Sequence, residues 1–435
     1  MTASTGLRTP PALAEHADPD LYAAFAGGKF AHMQDPYPWY ARVRRDYPVL
    51  DLYGMVNVFR YDDVAAVLRH PQVSTDDRAS ALYQSLYADD KLGLAYLSQM
   101  DDRSFLHRDP PDHTRLRRLA AKGFTPRRVD ALRPFIRRTV DGTLDHAAGH
   151  LELIADLAYP LPIAVICELL GIPDEDRAFV ATWPRAQLCC TFEQSSTYAA
   201  KQVAKAQSGG PQQAEADRIQ QQLTDYFALL IERRRGTPGD DLVSALIAAE
   251  ESGEQLSTEE INATLRLLFV AGYENTVNLI GHGMLALLRH PDQFAALRDD
   301  PALAGGAVDE ALRYDAPFQF TRRIALADLD IGGYHVPRGH IISAWIATAN
   351  RDPHHFPDPD RFDIRRTDNH HLGFGTGIHA CLGGPLARLQ AEIAFTTLAR
   401  RLVRPRLDVD PPSYRTDVVR SIESLPVTAD IRAAV

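Results

Sequence analysis

Apolar residues recur at helical spacing through most of this chain. Leu116, Leu119 and Ala120 share one face, as do Leu132, Ile136 and Val140. Near the N-terminus the pattern differs. Val49–Leu52 and Met55–Phe59 are short β-rich runs around Gly54, which predicts a hairpin. Asp62 then opens a short helix that ends at Pro71. The longest periodic run starts at Ser257, where Ser257 and Glu260 form an S-x-x-E capping box. Apolar positions continue to Leu288 and Pro291 follows, so this helix should end near His290. It would be roughly 45–50 Å long at 1.5 Å per residue and would cross the whole molecule. From Ile324 to Trp345 apolar and polar residues alternate around GG and PRG turns, which predicts strands. A Pro/Asp-rich irregular stretch, Asp352 to Asp363, precedes a last helix expected from about Leu382 to Leu402.

These elements predict a mainly α fold with a smaller β region. No linker or repeat interrupts it, so residues 21–435 read as one catalytic domain. The polar, Pro-containing residues 1–20 read as a disordered arm, with no basic start and apolar run of a signal peptide. The most apolar stretch, Leu151 to Ile172, is broken by Pro160 and Pro162 and carries Glu152, Asp156 and Glu168. It is a poor membrane span. A soluble, cytoplasmic monomer without membrane contact is the expectation.

Charge adds an exclusion. The net charge of -10 argues against nucleic-acid binding, which wants a basic surface. Four cysteines occur, Cys167, Cys189, Cys190 and Cys381, with no C-x-x-C spacing. A disulfide framework is not expected. Three are most simply buried small hydrophobes.

The fourth sits in Phe374-Gly375-Thr376-Gly377-Ile378-His379-Ala380-Cys381-Leu382-Gly383. Gly375 and Gly377 permit a tight loop that aims backbone N–H groups inward. The start of the last helix favours a thiolate at Cys381. A thiolate is the ligand a haem iron needs to favour O–O cleavage. Gly383 and Gly384 remove side chains where a flat macrocycle would press on the helix. The plain alternative is a buried structural cysteine. A zinc site from His370, His371, His379 and Cys381 is the other rival, weakened by the lack of a second Cys pair or H-x-x-x-H.

That segment resembles the haem-binding loop of the cytochrome P450 family. Three further segments, in the same order, carry the resemblance over roughly residues 30–430. Glu310-Ala311-Leu312-Arg313 is similar to the family's E-x-x-R helix, whose spacing lets both side chains pair on one face. Ala271-Gly272-Tyr273-Glu274-Asn275-Thr276 resembles its oxygen-binding motif. Asp109 to Arg118 resembles its propionate-binding helix start.

The resemblance implies a haem-thiolate monooxygenase that uses O₂ and NAD(P)H-derived electrons on a small apolar organic molecule, in the manner of bacterial members that tailor secondary metabolites. Haem b would be bound through Cys381. His113, Arg117, Arg323 and His379 would hold its propionates, with a possible slip from Arg323 to Arg322. Phe374 would shield the thiolate, flanked by Gly375 and Gly383. Arg361 would be the third charged partner of Glu310 and Arg313. Ala271 and Gly272 would leave space above the iron, and Glu274 would feed protons. Plain helix packing and an exposed helix charge are the bland readings of these last residues. The pocket would draw on residues 75–105, 183–210, 267–276, 317–321 and 421–425. Phe318 and Phe320 suggest an apolar or flat substrate, or belong to the core.

The family pattern places Thr after the acid, whereas Asn275 stands here. A hydroxyl donates and relays protons; a carboxamide donates but relays poorly. Thr276 is about 100° round the helix and is no simple replacement. Water or a substrate hydroxyl could supply the proton. Otherwise the enzyme is an oxidative-coupling or peroxide-driven catalyst, or leaks peroxide. A non-catalytic haem-binding sensor is a rival from another class.

Residues 113–138 hold nine Lys or Arg and one acid, Asp130. In an acidic chain this reversal suggests a docking face for an acidic ferredoxin, with Arg388 joining it; a solvated helix face is the alternative. No G-x-G-x-x-G fingerprint appears, so electrons would come from a separate ferredoxin and ferredoxin reductase.

Overall fold

The computed structural model describes residues 8–11, 35–52, 54–81, 84, 103–183, 211–251, 256–416 and 419–434. Eight helices matter for the site: α1 (Tyr37–Asp46), α2 (Asp112–Ala121), α3 (Arg133–His146), α4 (Pro160–Leu170), α5 (Thr258–Ala271), α6 (Glu274–Arg289), α7 (Ala304–Tyr314) and α8 (Gly384–Arg401). The apolar face of α6 is the centre of the main core. Ile280, Met284 and Leu287 are buried with Leu157, Phe395 and Leu398. Gly283 lets α6 lie close to α8, since a Cβ there would collide with the Phe395 ring. Leu153–Leu170 is long and apolar enough to cross a membrane, but most of it is built into this core.

The strands form a smaller region beside the helices. β1 (Val49–Leu52) and β2 (Met55–Val58) form the expected hairpin, pairing Leu52 with Met55 around Gly54 at φ +76°. They join a five-stranded sheet with β3 (Val73–Ser74), β5 (Thr321–Ala325) and β8 (Ile341–Ala344), in the order β1-β2-β8-β5-β3. Only β2 and β8 run parallel. β4 (His150–Glu152) belongs to a separate three-stranded sheet. β6 (Leu329–Ile331) and β7 (Tyr334–Val336) form a hairpin. β9 (Leu402–Leu407), β10 (Tyr414–Thr416), β11 (Arg420–Ile422) and β12 (Pro426–Ile431) close the chain.

Two expectations, on the long helix and on the start of the last one, need correction. Of the N-terminal arm only residues 8–11 are described. Arg8 bridges in parallel to Tyr334, and the Asp51 N–H donates to the Pro11 carbonyl. A free sheet edge offers such pairing to any nearby chain. The other residues of that arm, and Cys189 and Cys190, lie outside the described residues.

The long helix is two helices. The Ser257 capping box is present and the second helix ends at Arg289. Between them the ladder closes at Gly272, whose N–H donates to the Leu268 carbonyl. Tyr273, at φ -115°, ψ -54°, is the N-cap from which α6 restarts at Glu274. Gly lowers helix propensity by about 1 kcal/mol, and the Tyr273 ring gains an edge-on contact with Tyr159 at 5.8 Å.

The Pro/Asp-rich stretch is irregular as expected, and the last helix starts at Gly384, two residues later than the pattern suggested. Cys167 is buried and free, as a small hydrophobe.

Candidate active site

Gly375 and Gly377 sit at φ +65° and +75°, which bends the chain into a loop no β-carbon would allow cheaply. The Gly375 N–H donates to the Leu372 carbonyl, and the Cys381 N–H donates to the Phe374 carbonyl, both at 2.8 Å. Cys381 is thereby pinned just before α8, with its thiol on a cavity of about 300 Å³. Burial pushes the thiol's pKa up, while the Gly383 and Gly384 N–H groups and the Arg117 charge pull it down. Phe374 packs beside Gly384, where a Cβ would stand 3.6 Å from its ring.

His113, Arg117, Arg323 and His379 gather beside this loop. The His113 and His379 rings lie 4.3 Å apart. His113 is buried, and among the described residues neither ring nitrogen has a hydrogen-bond partner. Burial, reinforced by His113, Arg323 and Arg117, lowers the His379 pKa to about 3. Burial likewise lowers Arg323 to about 10, with Asp109 opposing. Strand alternation decides between the two arginines of β5: Arg323 lines the cavity and Arg322 does not. Four cationic or cationisable groups crowded together, with the His113 ring unpartnered among the described residues, fit a pair of carboxylates.

Ala271, Gly272, Asn275 and Thr276 form the facing wall. A Cβ at Gly272 would press the Leu268 carbonyl at 2.6 Å and Ile166 Cδ1 at 3.0 Å. The Asn275 Oδ1 is buried without a partner among the described residues. Glu274 is neither exposed nor on the cavity wall. It is buried in the first turn of α6 and turns toward β11, where Ser421 Oγ donates to its Oε1 at 3.2 Å. The helix N-terminus favours this negative charge.

The buried ion pair of the E-x-x-R segment is present. Arg313 Nε and Nη2 donate to Glu310 Oε2 and Oε1, both at 2.8 Å. Its third partner is Arg366 rather than Arg361. Arg366 Nε reaches Glu310 Oε2 at 3.2 Å, whereas Arg361 offers Arg313 only its carbonyl and turns its side chain outward to Asp363. In irregular backbone no periodicity tells which Arg points inward.

Two other expectations change. Phe318 lines the cavity, but Phe320 packs with Tyr40, Phe59 and Trp345 in a separate core cluster. Arg388 does not extend the basic face; it pairs with Asp309 at 2.5 Å. The pocket segments at 85–102 and 184–210 lie outside the described residues. The cavity also uses Leu106, Leu386 and Gln390, which the pattern did not single out. Among the described residues no group of His, Cys, Asp and Glu fits a separate metal site, so the zinc reading has no support.

A mostly helical fold, a cysteine on a glycine-shaped loop and a cationic cradle at one rim define a haem enzyme of the oxygenase class. The cytochrome P450 family model matches residues 199–420. The monooxygenase PikC of Streptomyces venezuelae is 41% identical over 90% of this chain and 91% of its own. Vitamin D(3) 25-hydroxylase of Pseudonocardia autotrophica is 38% identical over 92% of this chain and 95% of its own. The ligand-free crystal structure of Mycobacterium smegmatis CYP164A2 superposes with a TM-score of 0.82 at 40% identity, covering 94% of this chain and 99% of that one. The chain belongs to the cytochrome P450 family. It is a haem-dependent monooxygenase that uses O₂, electrons delivered by redox partner proteins and an organic substrate.

Proposed function

We propose that Cys381 is the thiolate that would hold the iron of haem b and that the enzyme hydroxylates or epoxidises a small apolar molecule in secondary-metabolite tailoring. Residues 21–435 act as one catalytic domain. The observation that carries the reading is the placement of Cys381 across one cavity from Asn275 and Thr276, with the His113–His379 cluster at its rim. When bound, the haem supplies the activation of O₂.

The chain's own residues hold, orient and protonate. Cys381 is fixed by its N–H bond to Phe374, and the Gly383 and Gly384 N–H groups favour its anionic form. His113, Arg117, Arg323 and His379 would hold the two propionates, which would satisfy the His113 ring. Phe374 keeps water from the sulfur, and the Gly375 and Gly383 backbones leave room for the ring. Ala271 and Gly272 leave space opposite, Glu274 handles protons, and Asn275 donates its amide toward the oxygen side. Leu267, Leu268, Leu279, Phe318 and Ile346 form an apolar wall, which matches a hydrophobic substrate. PikC and 6-deoxyerythronolide B hydroxylase, at 41% and 36% identity, support a tailoring role.

Electrons come from a ferredoxin and its reductase. Arg118, Lys122, Arg127, Arg137 and Arg138 are exposed on and around α2 and α3, and would attract an acidic partner. The enzyme works as a cytoplasmic monomer. One observation favours a second reading. The unpartnered Asn275 carbonyl relays protons poorly, which suits oxidative coupling or peroxide-driven turnover.

The test is an optical titration of the purified protein against macrolides, terpenoids, steroids, cyclic dipeptides and aromatic compounds. A low-to-high-spin shift with one class supports the site and names the substrate class. Absence of a haem band after haem-supplemented expression overturns it.

A further inference from the structure

Glu274 turns its carboxylate away from the cavity, and one of the groups that receive it is on a strand far along the chain. Ser421 of β11 donates to Oε1 at 3.2 Å, and the Tyr273 hydroxyl donates to Oε2 at 3.3 Å. Asn278, one helical turn beyond Glu274, donates its Nδ2 to Ser421 Oγ at 3.1 Å. That bond fills the acceptor side of the serine oxygen, so its single hydroxyl proton is left for Glu274. Glu274, Asn278 and Ser421 are all more than nine-tenths buried. In an apolar interior such bonds are short of competitors and fix the rotamers they join.

The same strand touches the cavity wall. The Arg420 N–H donates to the Pro317 carbonyl at 2.9 Å, and Phe318 bridges to Val419. Pro317 and Phe318 both line the cavity. A continuous path therefore runs from the wall, through one strand, to the acid beside Asn275.

We propose that Ser421 is a positioning residue for Glu274, holding its carboxylate in one rotamer and coupling it to the Pro317–Phe318 wall. The inference rests on the proton-handling role assigned to Glu274 above. Asn278 orients the serine hydroxyl, and Ser421 orients the acid. With the relay-poor Asn275 next door, the position of Glu274 governs how much reduced oxygen escapes as peroxide.

The test uses the haem-loaded enzyme driven by NADPH, spinach ferredoxin and its reductase in air-saturated buffer, with no organic ligand added. Hydrogen peroxide released per NADPH oxidised is measured for the wild type, Ser421→Ala, Ser421→Val and Ser421→Thr, in H₂O and in D₂O. Expected are a several-fold higher peroxide yield and an altered solvent isotope effect for Ala and Val, with both restored by Thr. Haem content and the reduced CO spectrum should match the wild type in all variants. Equal peroxide yields and isotope effects in Val and Thr, which differ by the hydroxyl at matched volume, overturn the inference even if Ala loses haem. A wild type that binds no haem overturns the site assignment itself.

Discussion

Arg366 Nε lies 3.2 Å from Glu310 Oε2, on a carboxylate that already receives two bonds from Arg313. Glu310 and Arg313 are fully buried, so neither charge has water to fall back on. Removing one member of such a pair typically costs about 3–5 kcal/mol. Glu310→Ala should lower the urea midpoint by an amount of that order and reduce haem retention. Arg366→Ala should cost less, and Arg361→Ala should be nearly silent, because its side chain points outward. A larger loss from Arg361→Ala than from Arg366→Ala would contradict this geometry.

Gly283 invites a second measurement. Alanine there would gain helix propensity, but its methyl would enter the Phe395 ring. Overpacking of a tight core costs about 1–3 kcal/mol, more than the roughly 1 kcal/mol that alanine gains over glycine in a helix. Gly283→Ala should lower the thermal midpoint, and the double variant with Phe395→Leu should recover part of it.

How far the sequence carried can be judged at these places. The capping box at Ser257 and the stop before Pro291 bound the central helices correctly, because caps and prolines act locally. The break at Tyr273 was invisible, since it depends on packing against Ile166 and Tyr159, residues over a hundred positions away. The strand pair of Arg322 and Arg323 was resolved only by sheet register. The cysteine loop was legible because its glycines sit where the backbone leaves no other choice. Phe320 was ambiguous because an aromatic residue suits a core and a pocket equally well.

His371 fixes the approach to the cysteine loop. The Gly373 N–H donates to its Nδ1 at 3.0 Å, so that nitrogen carries no proton and Nε2 donates to Asp309 Oδ1 at 3.1 Å. Arg388 of α8 holds the same carboxylate oxygen, so Asp309 ties the residues before and after Cys381 together. His371→Asn keeps an acceptor near Gly373, whereas His371→Leu keeps none. Haem transfer to apomyoglobin should be faster from the Leu variant than from the Asn variant. Equal rates would show that the acceptor is irrelevant.

Acid should weaken the haem-free protein through His379. Its folded pKa of about 3 lies below the ordinary 6.5, chiefly through burial. The unfolded chain therefore binds the proton more readily, and stability falls as pH drops from 6.5 toward 3. Facing propionates would raise the folded value and shrink that slope. Unfolding midpoints across this range should be steeper in the haem-free protein than in the holoprotein, and His379→Gln should flatten the difference. Parallel slopes in both forms would argue against propionates at this cluster.

Asn275→Thr should change the fraction of NADPH electrons that reach product, once a substrate is identified. An unchanged fraction and product profile would remove Asn275 from the proton route.

The interruption between α5 and α6 carries a consequence of its own. A continuous helix spends every peptide group on itself. A helix broken beside a cavity shifts part of its main chain out of the regular ladder: the Thr276 N–H turns back to the Tyr273 carbonyl at 3.0 Å, only three residues earlier. Ala271 and Gly272 before that break, and Asn275 and Thr276 after it, all line the cavity. The break rests on Gly272 and Tyr273, so the side chain at 275 can be an amide or a hydroxyl without the break being lost.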